Sequence, residues 1–136
     1  EYAAISDMNA AVQLLTTLRS YGCLTSLDDF GAGMSSFAYL QELPVDIVKI
    51  DGRFVKNLAA NPVDQAMVRA MNDIAHALGK KTVAEFVEDD SSLKLLAEFG
   101  VDFAQGYYLG RPDITFPCKL LAESAGGDAM CLTQAN

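Results

Sequence analysis

One phrase recurs three times along the chain and narrows its folding options more than any other feature. Each copy is a run of helical period, then a glycine, then a run suited to a strand. The helical runs cover 8–21, 62–78 and 92–99, and Gly22, Gly79 and Gly100 follow them directly. In the first, Ala11, Leu14, Leu15 and Leu18 share a face; in the second, Val63, Ala66, Met67, Ala70, Met71, Ile74 and Leu78 form the stripe. Asp7 and Asn61 stand where N-caps belong, Pro62 suits a first turn, and the glycines suit C′ positions. A shorter helix is expected over 35–42, stopped by Pro44.

The segments between these helices read as strands at 24–30, 45–51, 81–87 and 101–107. Strands separated by helices throughout imply parallel pairing through right-handed crossovers. The expected class is α/β, with about four βα units. A complete (β/α)₈ barrel takes about 250 residues, so the 136 residues here correspond to a partial, TIM-like barrel. An open doubly wound sheet is the competing solution, but no GxGxxG or P-loop follows a strand. A half barrel leaves two strand edges unpaired, so further chain, a second copy or an open sheet is expected. The opening "EYAAISDMN", without an initiator methionine, suggests an excised piece or a processed product. Residues 113–136 have little periodicity and read as a tail.

Composition removes several function classes. Net charge is −8, which disfavours a duplex nucleic-acid binder because such proteins need a basic footprint. A nucleotide ligand stays open, since a bound cation can supply positive charge. No apolar run approaches the ~20 residues of a membrane span, so no membrane contact is expected of this segment. Cys23, Cys118 and Cys131 are odd in number and lack metal-ligand spacing, as expected of buried or incidental thiols in a reducing compartment.

Chemistry gathers at the carboxyl ends of the expected strands, the end where barrel enzymes build their sites. The first strand ends in Asp28 and Asp29, the second carries Lys49 and Asp51 on one face, the third has Glu85 and Glu88, and the fourth Gln105. Polar groups within apolar strands are costly unless paired. Two carboxylates ~4 Å apart repel by about 4 kcal/mol at an effective dielectric of 20, so a convergent aspartate pair invites a hard cation. A turn followed by a helix cap explains the same pair. Lys49 suits an ion pair with Asp28 or Asp51, or a Schiff base. Glu85 and Gln105 could equally be structural. His76 is expected to face solvent or to bond locally. Tyr107 and Tyr108 suit the core more than stacking on a base, Arg111 suits the surface, and the turn at 31–33 suits either a tight bend or a phosphate at a helix start.

The strings "LDDFGAGMSSFAYLQELPVDIVKIDGRFV", "TVAEFVE" and "DFAQGYYLGRP" resemble, in order and spacing, the DDFGTGYSSL, LKID, AEGVE and QGYxxGRP strings of the EAL-domain phosphodiesterases. The resemblance covers residues 1–112 and is closest to the C-terminal half of EAL domains that follow a GGDEF domain in tandem proteins. It implies metal-dependent hydrolysis of cyclic di-GMP to linear pGpG, with two Mg²⁺ or Mn²⁺ ions in the complete domain. Carried over by position, Asp28 and Asp29 would be metal ligands. Glu85 would be the catalytic carboxylate, and Lys49 would hold the attacking water or a phosphate oxygen. Gln105 would position water, while Glu1, Asp51 and Glu88 would steady a nearby loop.

The same resemblance implies a homodimer, upstream GGDEF and sensory domains, and a cytoplasmic site, with any membrane anchor lying upstream. This sequence departs from the pattern in lacking the Glu-Ala-Leu string, the Asn ligand and the first glutamate of E-x-T-E. The chain is therefore expected to be an incomplete half-site, poorly active alone. A degenerate cyclic di-GMP sensor and a swapped structural half-barrel are the alternatives. Ala32, Met34 and Phe86 replace the usual Thr, aromatic and Gly, and Phe86 is placed to crowd Glu85.

Overall fold

The structure, a computed structural model, describes residues 7–32 and 36–112. Helix α1 spans Met8–Ser20, strand β1 Ser26–Phe30, helix α2 Ser36–Glu42 and strand β2 Ile47–Ile50. Next come the short helix α3 (Gly52–Val55), a 3₁₀ turn at Leu58–Ala60 and helix α4 (Pro62–Ala77). Strand β3 (Lys81–Ala84), helix α5 (Asp90–Glu98) and strand β4 (Phe103–Ala104) complete the order. The four strands pair in parallel in the order β1-β2-β3-β4. This is the α/β arrangement expected, a partial barrel. Glu1 and residues 113–136 lie outside the described residues.

The recurring phrase has one physical cause. Gly22, Gly79 and Gly100 all have positive φ (81°, 70° and 76°). After each helix the glycine N–H donates to one carbonyl of the last turn and the next N–H to the carbonyl before it. The pairs are Gly22→Arg19 and Cys23→Leu18, Gly79→His76 and Lys80→Ala75, and Gly100→Ala97 and Val101→Leu96. This is the Schellman closure, which satisfies the last carbonyls and turns the chain toward its strand. Asp7 accepts from the Ala10 N–H at 3.0 Å, and Asn61 accepts from Val63 at 3.0 Å. Asp89 accepts from the Ser92 N–H at 2.7 Å, which starts α5 at Asp90, ahead of the expected 92.

The helix-facing side of the sheet holds the core. Val48 and Ile50 pack there with Phe30, Leu40, Val55, Leu58, Val68, Met71, Ala75, Ala84, Val87 and Leu96. The α4 stripe differs from expectation. Val68, Met71, Asn72 and Ala75 are its buried residues, whereas Val63, Met67, Ile74 and Leu78 are exposed. Asn72 hides the inward stripe from a hydrophobicity reading. Its amide is satisfied inside, donating to the Phe99 carbonyl at 3.0 Å and accepting from the Thr82 hydroxyl at 2.6 Å. Leu14 of α1 is likewise exposed; Met8, Ala11, Val12 and Leu15 pack against the core.

The strands are shorter than expected, and in β3 the cause is local: it stops at Ala84 rather than 87, just before the left-handed Phe86, whereas β1 reaches Phe30 as expected with the left-handed Asp29 inside it. Asp29 (φ 52°) and Phe86 (φ 57°) are left-handed. In β1 the register runs Leu27↔Val48 and then Phe30↔Ile50, so one extra residue is inserted as a bulge. Beyond β3, contact continues through the Val87 N–H to the Gln105 carbonyl (3.0 Å) and the Tyr108 N–H to the Val87 carbonyl (3.1 Å). That approach requires Gly106, where a Cβ would lie 2.2 Å from the Val87 oxygen.

Candidate functional site

Strand alternation determines which side chains meet. Leu27 pairs with Val48, and Lys49 with Val83, so Asp28, Lys49 and Glu85 fall on the face opposite the helices. Their charges converge there. The Lys49 ammonium lies 2.8 Å from Asp28 Oδ1 and 2.5 Å from Glu85 Oε1. The lysine and Glu85 side chains are 8% and 13% exposed, while Asp28 is half open to solvent. Three neighbouring strands thus place one buried cation between two carboxylates at their carboxyl ends.

Burial alone pushes the Lys49 ammonium down, and it is the largest single influence. The hydrogen bonds and charges of Asp28 and Glu85 together outweigh it, so the pKa rises above its ordinary 10.5. Lys49 is therefore a fixed cation at neutral pH. Its contact with Asp28 is the ion pair expected, with Glu85 added to it.

The other expected site residues fall around this group. Asp29 is exposed on the bulge. Asp51 is engaged elsewhere: it caps α3 by accepting from the Arg53 N–H at 2.8 Å and holds the Arg53 guanidinium through Oδ2 at 3.0 Å. Glu88 is exposed, 4.0 Å from Lys56. Glu85, Phe86, Glu88, Gln105, Gly106 and Tyr107 line a cleft of about 190 Å³. Phe86 does not displace Glu85, which keeps its lysine; the ring turns onto Gly52 instead.

The donors suit a hard cation in kind, because carboxylate oxygens match Mg²⁺ or Mn²⁺. Their number falls short. Among the described residues no group of three or more His, Cys, Asp or Glu side chains could hold a metal ion, and Asp28 and Glu85 share Lys49.

Several expectations need correction. Tyr107 and Tyr108 are exposed rather than in the core. The Tyr108 hydroxyl reaches Asp90 at 3.1 Å, and the Arg111 guanidinium lies 5.0 Å from the Tyr107 ring centroid. Cys23 is exposed, the incidental rather than the buried alternative, because it follows the Gly22 turn. His76 is exposed as expected, but its partner is distant in the chain: its Nε2 lies 2.7 Å from Asp102 Oδ2. Asp102, which the sequence reading passed over, also receives Lys81 at 2.6 Å and the Thr82 N–H at 2.9 Å. This cluster ties α4, β3 and the start of β4 together at the amino ends of the strands, where conservation of structure rather than chemistry is the usual purpose in such barrels. An aspartate just after a helix-ending glycine was the available signal.

Residues 1–112 match the EAL domain family. The chain belongs to that family. It is 48% identical over 112 residues to the cyclic di-GMP phosphodiesterase PdeB of Shewanella oneidensis, a match covering 82% of this chain and 13% of that protein. Among solved structures, the EAL domain of Mycobacterium smegmatis DcpA superposes with a TM-score of 0.75 at 40% identity, covering 78% of this chain and 48% of that one. The FimX EAL domain of Pseudomonas aeruginosa bound to c-di-GMP gives a TM-score of 0.75 at 33% identity, covering 81% of this chain and 45% of that one. The chain therefore spans a small part of the curated relative's length and under half of either solved domain. No helix among the described residues is long and apolar enough to cross a membrane.

Proposed function

We propose that this chain supplies one half of the active site of a metal-dependent cyclic di-GMP phosphodiesterase that releases linear pGpG. The observation that carries the reading is the single buried ammonium of Lys49 joining Asp28 and Glu85 across three strands. In this reading Glu85 accepts the proton of the attacking water. The water oxygen bonds to phosphorus, the bond to the 3′ oxygen breaks, and that oxygen leaves as a hydroxyl by taking the proton that Glu85 received. Lys49, fixed as a cation, holds the water or a phosphate oxygen and offsets negative charge as it grows. Gln105 orients the same water.

Asp28 and Asp29 would hold Mg²⁺ or Mn²⁺ together with ligands from the remainder of the domain, and metal bound there would supply Lewis-acid stabilisation of the negative charge on the phosphodiester. Glu1, Asp51 and Glu88 would steady the adjoining loop, in the case of Asp51 by capping α3. The whole protein would act in the cytoplasm as a homodimer behind GGDEF and sensory domains.

The test is to compare the 136-residue chain with the complete EAL domain that contains it. The chain alone is expected to turn over little cyclic di-GMP, and the complete domain with Mg²⁺ or Mn²⁺ to hydrolyse it. Full activity in the monomeric chain would contradict the half-site. Binding without turnover by the complete domain would favour a sensor.

A further inference from the structure

Phe86 is an aromatic residue in a backbone conformation that suits glycine. Its φ is 57°, in the left-handed region where a Cβ crowds the following carbonyl. Burial does not offset that cost, because the side chain is 57% exposed. Its ring rests on Gly52, where an added Cβ would lie 2.0 Å from a ring carbon. Gly52 in turn opens the helix that Asp51 caps, so the seat of the ring is fixed by the backbone.

The ring also borders the cleft shared by Glu85, Gln105 and Tyr107. Tyr107 is 64% exposed and carries the Arg111 guanidinium near its ring. Two open aromatic surfaces thus adjoin the carboxylate assigned to catalysis. Local strain kept at a cleft without compensating burial points to a ligand.

We infer that Phe86 is a substrate-binding residue whose ring stacks on one purine base of the cyclic dinucleotide and sets that base's position relative to Glu85. The inference rests on the function proposed above. A planar purine offers the wide π-face such a ring accepts, and stacking of a base on an aromatic side chain is a general mode of nucleotide capture.

The test uses the complete EAL domain in three forms: unchanged, Phe86→Gly and Phe86→Trp. KM and kcat for cyclic di-GMP are measured together with the melting temperature. Phe86→Gly is expected to raise KM roughly tenfold, the scale of one lost base–aromatic stack, with kcat within a few-fold of the unchanged domain. Its melting temperature is expected to hold or rise, since glycine relieves the left-handed strain. Phe86→Trp is expected to keep KM near the starting value. A KM for Phe86→Gly within twofold of the unchanged domain overturns the inference while leaving the phosphodiesterase reading intact. So does a fall in melting temperature without a rise in KM, which would make the ring structural. An unchanged domain that neither binds nor hydrolyses cyclic di-GMP overturns the function and the inference together.

Discussion

Replacing Lys49 by methionine isolates what its ammonium contributes. Methionine keeps most of the buried stem, so packing changes little. What disappears is the one cation between Asp28 and Glu85. Removing one partner from a buried ion pair costs roughly 3–5 kcal/mol, because a charge is left unpaired. The repulsion between carboxylates about 5 Å apart is about 3 kcal/mol at an effective dielectric of 20. These overlap rather than add, and Asp28 is half exposed, which discounts its share. The expected loss is about 3 kcal/mol at pH 7, measured by urea unfolding of the complete domain. Adding Glu85→Gln to Lys49→Met should recover most of the loss, since the amide is neutral. A loss below about 1 kcal/mol, or one that the second substitution leaves unchanged, would refute the claim that the ammonium compensates buried charge.

Two further outcomes concern the scaffold. Lys81 and His76 hold Asp102 below its ordinary carboxylate value of 3.8 even though burial, the largest single influence, pushes it up. A depressed carboxylate contributes stability above its unfolded pKa and loses it as pH falls through the folded one, so Asp102→Asn should flatten the stability decline below pH ~3.8; a decline of unchanged slope would remove Asp102 from that role. Gly106→Ala should cost roughly 3 kcal/mol, because the new Cβ meets the Val87 backbone. Thermal melting within a degree or two of the parent would show that this close approach is not required.

The legibility of the molecule followed the range of each interaction. Helices ending in Gly22, Gly79 and Gly100 were readable because the Schellman closure is local and demands a residue that tolerates positive φ. The meeting of Asp28, Lys49 and Glu85 was readable because strand alternation and parallel order are enough to align one face. The end of β3 was not, because a left-handed Phe86 contradicts its own local preference and is held by Gly52, a residue 34 positions earlier in the chain. The inward face of α4 was masked by Asn72, whose burial makes sense only with Thr82 and Phe99 in place. The Asp102 cluster joins residues 20 to 26 positions apart, beyond the reach of any periodic pattern.

The most direct measurement is turnover and binding of cyclic di-GMP by the complete domain carrying Glu85→Gln. If Glu85 takes the proton of the attacking water, kcat should fall by at least about a hundredfold, the low end of what a positioned general base contributes, while Kd stays within a few-fold. Turnover equal to that of the unsubstituted domain would contradict the account.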